Sequence, residues 1–259
     1  MASVCTAFNG RMVIAATLVA AIALGYGPRA RATPASWVKQ ALAIAHGQDG
    51  RASAAPPVGR YGIDEGGVFV FDRSSHRPLL KFDDSPEVWV LSPSHGPRGD
   101  IIYKNDLGEP LLRATKLGGM TVFTRRRPEG SAAALLGPST PLRLATIGPI
   151  ALFRYVAQAS DRSSRAAQHR IEFDVPDVGP ASDGLIADTA IVAMQAVVNL
   201  STRPGGKAAL AHVSTIVFNE GGKSSVSFRG GALTVTVVPA QGLAGRPSSV
   251  RILQAMAPR

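Results

Sequence analysis

A serine and a lysine one helical turn apart, Ser36-Trp37-Val38-Lys39, have the S-x-x-K spacing that lets a lysine activate a nucleophilic serine. The companion K-T-G is missing, and Ser182-Asp183-Gly184 is not the S-D-N that would complete the set. Ser36 fits the N-cap of a short helix better. Gly222-Lys223-Ser224 ends like a phosphate-cradling loop, but the earlier glycine such a loop needs is replaced by Val217. The five histidines, His46, His76, His95, His169 and His212, include no i, i+4 pair and no H-E-x-x-H. No G-x-S-x-G elbow occurs.

Acidic residues offer a second kind of chemistry. Asp64, Glu65, Asp83, Asp84, Asp106 and Glu109 concentrate in one stretch, where two of them brought together would serve acid–base work or calcium binding. Asn105-Asp106-x-Gly108-Glu109 lacks the spacing of a calcium loop, and scattered acids of this type belong to solvated turns. Recognition is the chemistry that remains. Tyr103, Asn105, Asp106 and Arg113 surround one turn, an aromatic ring beside hydrogen-bonding side chains, and are the candidate partner-binding residues. No catalytic, cofactor-binding or metal-binding residue is assigned.

The elements that must position these residues are mostly strands at first. Val68–Phe71, Leu79–Phe82 and Val88–Leu91 are short apolar runs between polar turns. Ile101–Tyr103, Leu111–Arg113 and Met120–Phe123 repeat them at a shift of 32 residues, without a gap. Pro78-Leu79-Leu80-Lys81 falls on Pro110-Leu111-Leu112-Arg113, and Gly67 falls on Gly99. The pattern predicts a duplicated three-stranded antiparallel β meander over 59–127, forming a two-fold-like sheet or an open barrel. Asn105–Gly108 and Gly118-Gly119 are hairpin turns. Glu129–Pro141, rich in Gly, Pro, Ser and Ala, reads as a connector. Two helices follow. One spans Ala151–Ala167; the other is capped by Ser182 or Asp183, apolar on nearly all faces, and therefore expected between layers. Ile171–Val175 is strand-like. Val213–Phe218, Val226–Phe228 and Leu233–Val237 predict a C-terminal antiparallel meander, with Gly230-Gly231 as a two-residue hairpin and Ser249–Met256 as a last strand. Strands, then helices, then strands make the class α+β. The 140–259 region forms either its own domain or one domain with 59–127.

The chain opens with an address. Arg11 precedes the apolar run Val13–Leu24, Gly25, Gly27 and Pro28 stop any helix, and Ala30-Arg31-Ala32 offers a cleavage site. Residues 1–32 thus read as a secretory signal peptide, with a retained inner-membrane anchor as the alternative. A short helix at Ser36–His46 and a Gly/Pro-containing linker fill 33–58. Cleavage removes Cys5, the only cysteine, so a mature chain would lack thiol chemistry and disulfides. It also removes Arg11, Arg29 and Arg31, which takes the formal charge from +10 to +7. A basic exported protein is drawn to anionic lipid headgroups or acidic wall polymers, and nucleic acid is not expected in that compartment.

The run Tyr61–Gly67, the Phe71-Asp72-Arg73-Ser74 turn and the segment Gly99–Pro110 are similar to an alphaproteobacterial family of exported proteins catalogued only as a domain of unknown function. The resemblance covers most of the chain after cleavage. It implies a bacterial exported protein and transfers no activity or site residue. The expectation is a periplasmic or secreted, non-enzymatic protein that binds a cell-envelope component. The alternative is a periplasmic hydrolase whose site is assembled from distant residues.

Overall fold

The computed structural model describes residues 55–176 and 178–257. The segments expected to form a signal peptide and a short helix at Ser36–His46, with the S-x-x-K pair, Cys5 and most of the expected linker, lie outside them. The described residues fall within one compact unit.

Nine strands make one antiparallel sheet: Gly59–Ile63 (β1), Val68–Asp72 (β2), Leu79–Phe82 (β3), Val88–Val90 (β4), Ser92–His95 (β5), Ile101–Lys104 (β6), Pro110–Ala114 (β7), Met120–Thr124 (β8) and Arg127–Gly137 (β9). Their order is β4-β3-β2-β1-β9-β8-β7-β6-β5. The two end strands, β4 and β5, are separated in the chain by Leu91 alone. Residues two apart can be no more than about 7 Å from each other, so the two ends of the sheet meet and the sheet is rolled into a barrel. Residues 88–95 run on without a turn: the first part pairs with β3, the last part with β6.

Side chains fill the barrel, as expected for a ring of this size. Phe69, Phe71, Leu80, Leu91, Leu112 and Val122 are fully buried there. Phe71 on β2 and Tyr103 on β6 are far apart in the sheet order, yet their rings meet edge-on with centroids 5.1 Å apart. These two residues are equivalent in the 32-residue repeat. The repeat also holds at the level of pairing. Phe69, Val70 and Phe71 face Phe82, Lys81 and Leu80; Ile101, Ile102 and Tyr103 face Ala114, Arg113 and Leu112 in the same register. Because the chain enters β5 from β4 without reversing, the second copy runs in the opposite sense, and the copies are related by a two-fold-like rotation.

The expected connector at 129–141 is corrected by β9, the strand that joins β1 to β8 and completes the ring. Its composition of Gly, Ala and Pro is poor in β-formers, so its strand character comes from its neighbours. Small side chains suit the place. Ala133 and Ala134 are buried, and a Cβ at Gly130, whose φ is +94°, would lie 2.5 Å from Thr121 Cγ2.

The remaining elements form a second layer: helix Pro149–Ala167 (α1), strand Glu172–Asp174 (β10), helix Asp183–Ser201 (α2), a helical turn Gly206–Leu210 (α3), strands Thr215–Glu220 (β11), Ser225–Arg229 (β12) and Ala232–Val237 (β13), and helix Ser249–Met256 (α4). The apolar α2 lies in the middle of this core, with Ile186, Ala190, Ala193 and Val197 fully buried, as its all-round hydrophobicity requires. Ser182 occupies its N-cap without a side-chain hydrogen bond. The class is α+β throughout.

Two expectations for the C-terminus are corrected. The sheet order is β10-β11-β13-β12, with β10 and β13 parallel to β11, so the region is a mixed sheet and not a meander. Leu233, Val235 and Val237 are fully buried and place β13 centrally, whereas the half-exposed β12 belongs at the edge. The Gly230-Gly231 hairpin is present, both residues having positive φ. Ser249–Met256 is a helix, because its buried residues Ser249, Ile252, Leu253 and Met256 recur at i, i+3, i+4 and i+7.

Candidate functional site

An up-and-down ring brings alternate hairpin turns to one end. The turns after β1, β3, β6 and β8 crown the same barrel mouth, and the second half of α2 and the start of α4 face it. Between them lies an open cleft of about 1050 Å³. Phe82, Trp89 and Phe123, all half-buried, bring aromatic surface from three strands. Gln195 and Asn199 of α2 and Gln254 of α4 supply amides from the opposite wall, with Gln195 Nε2 donating to Asn199 Oδ1 at 3.1 Å. Arg125, Arg126 and Arg203 are exposed on the rim, without a carboxylate partner among the described residues.

The acids of the cleft are mostly engaged. Glu65 accepts from Arg127 at 2.8 Å, and Glu109 Oε2 accepts from Asn105 Nδ2 at 2.8 Å. Glu87 lies beneath the surface, where its carboxylate accepts from the Ser249 N–H at 2.9 Å and from the Ser249 hydroxyl. Arg246 stands beside it, 3.9 Å away, donates to Asp188 of α2, and donates to the Val88 carbonyl at 2.8 Å. Both Glu87 and Arg246 are nearly inaccessible to solvent. Burial raises the Glu87 carboxyl above its ordinary range, against the opposing pull of Arg246 and Ser249. The charged cluster has a structural place. Val88 belongs to β4, which pairs on one side only, and the guanidinium covers that seam of the barrel from the second layer.

The four sequence-derived residues occupy different places. Tyr103 points into the barrel and is buried. Asn105 is buried in its own turn, where Oδ1 accepts from the N–H groups of Leu107 and Glu109 at 3.0 and 2.9 Å. Asp106 accepts from the Ser248 N–H at 3.0 Å and from its hydroxyl, holding the start of α4. Arg113 pairs with the buried Asp100, whose carboxyl is lowered chiefly by that side-chain hydrogen bond. Of the four, Asn105 lines the cleft. Sequence reasoning missed Trp89, Phe123, Gln195, Asn199 and Arg203. Arg125-Arg126-Arg127 was visible as a charge run, but nothing local ties it to a helix some seventy residues later.

Among the described residues, no three His, Cys, Asp or Glu side chains gather to hold a metal ion. Gly222-Lys223-Ser224 lies in the exposed connection between β11 and β12. His169 ties the end of α1 to the Val213 carbonyl at 2.8 Å. No curated protein and no solved structure matches the chain. A protein family does match, over residues 38–256, and the chain belongs to it: the family described as Domain of unknown function (DUF4908).

Proposed function

We propose that this is an exported, periplasmic or secreted binding protein of the cell envelope, and that its cleft holds an acidic glycan without transforming it. The observation that carries this reading is the division of the cleft into three chemistries. Aromatic surfaces from Phe82, Trp89 and Phe123 suit the flat apolar faces of sugar rings. The amides of Gln195, Asn199 and Gln254 suit hydroxyls, and the unpaired rim of Arg125, Arg126 and Arg203 suits carboxylates or phosphates. A hydrolytic alternative would need a base and a nucleophile turned to the ligand. Glu87 and Ser249 are turned to each other, below the surface.

Trp89 provides the test. With Trp37→Phe, it becomes the sole tryptophan. Soluble glycan–peptide fragments of bacterial cell wall should change its fluorescence saturably, and Arg203→Ala with Arg125→Ala should weaken binding by about tenfold. Binding that is unaltered in these variants and in Trp89→Ala would remove the cleft from the proposal.

A further inference from the structure

The outer face of α1 is a second surface, separate from the cleft, which no α1 residue lines. Leu152, Val156, Ala159, Ser163 and Ala167 form the buried stripe that packs toward α2. Away from that stripe, Ile150 is 82% exposed and Phe153 73% exposed, side by side on the first turns, whereas Tyr155, at 42%, lies on the other flank of the helix. A helix so exposed has no need of a phenylalanine and an isoleucine for its own packing. The charges around them are one-sided. Arg154 has no carboxylate partner among the described residues, and Asp161, the one acid of the helix, is paired with Arg165.

We propose that the first two turns of α1 dock on an anionic lipid bilayer, with Ile150 and Phe153 entering the headgroup–acyl boundary and Arg154, one turn after Ile150, meeting lipid phosphates. An apolar tip beside an unpaired guanidinium, on a chain of formal charge +10, is the composition that an anionic interface selects. A second copy of the chain fits less well. Ile150 and Phe153 expose on the order of 300 Å², less than half of what one partner covers in a stable complex. Like charges would also face each other across such a contact. The inference stands apart from the cleft reading, and either can fail alone.

The test uses the exported product of the full chain and co-sedimentation with vesicles. One set contains equal parts phosphatidylcholine and phosphatidylglycerol; the other is phosphatidylcholine alone. The wild type should bind the anionic vesicles, more weakly as salt rises. Ile150→Ser with Phe153→Ser should lower that affinity by about tenfold or more. Arg154→Glu should lower it by about fivefold or more. Leu117→Ser, at a site 90% exposed on the β7–β8 turn, should leave it unchanged. Melting temperatures close to wild type will show that the variants fold, since none of these side chains is buried. Equal binding to both vesicle types, or binding by the double variant equal to wild type, would overturn the proposal. So would a dimer in light scattering that the double variant disperses.

Discussion

Glu87 places an acidic group where the barrel meets the second layer, almost out of reach of solvent. Its carboxylate holds the first turn of α4 through Ser249 and faces Arg246, yet burial raises its pKa. A carboxyl whose folded pKa is raised binds more protons folded than unfolded over that interval. Its contribution is therefore fully present below the unfolded value of about 4.3 and is lost as pH rises through the folded value. The stability of wild type relative to Glu87→Gln should accordingly increase as pH falls from neutral toward that range, measured by chemical denaturation. A gap independent of pH, or one of opposite slope, would contradict the assignment. Asp72 behaves in the other sense. Burial raises its carboxyl, but the N–H groups of Ser74 and Leu142, with Arg143 nearby, outweigh that and lower it, so its support fades under acid. Both acids illustrate why the candidate residues could not be sorted from sequence. Tyr103, Asn105, Asp106 and Arg113 have the composition of a recognition turn, and each is given an intramolecular partner or a place in the core by residues distant in the chain.

Strand β9 is the element on which the barrel depends, and also the one least legible beforehand. Between Val122 and Thr124 the β8–β9 register shifts, and the extra β9 residues are accommodated with Gly130 in the left-handed region. Gly130→Val should cost about 2 kcal/mol or more, since its Cβ would meet Thr121 Cγ2 and the Phe123 ring as well as an unfavourable φ. Denaturant midpoints for this variant and for Gly108→Val, which has open space around it, separate the steric from the backbone contribution. Elements whose own periodicity matched their burial, such as β2, β3, β6, β7 and α2, were legible with their repeat. Those shaped by neighbours were not. Segment 127–137 became a strand because two open edges needed a partner, and 249–256 became a helix because its apolar spacing is helical although its Ser, Val and Ile content suggests β structure. Half of the cleft was visible as strands and turns; the other half, on α2 and α4, was hidden because opposition across a cleft leaves no periodic trace.

The barrel and the second layer are held together by few but costly contacts. Leu79, Val88 and Leu243 form a small apolar junction, and the buried Arg246 joins Glu87, Asp188 and the β4 edge beside it. Removing one member of such a cluster leaves its partners charged and dry, at about 3 kcal/mol or more. Arg246→Met should therefore do more than lower stability. It should separate one cooperative unfolding transition into two, followed by the Trp89 signal for the barrel and far-ultraviolet circular dichroism for the helices. Coincident transitions in the variant would show that the remaining contacts, the apolar junction and the Asp106–Ser248 and Glu87–Ser249 bonds, suffice to couple the layers.

The absence of a turn between β4 and β5 has a consequence for synthesis. A chain made from its N-terminus presents β1 through β8 as a curved ribbon whose margins, β1 and β8, stay unsatisfied until residue 137 has emerged. Neither copy of the duplicated unit can finish alone. Until the late strand arrives, the nascent protein carries two adhesive borders able to recruit a neighbouring ribosome's product. A holding factor that keeps the chain extended would be most valuable in that interval.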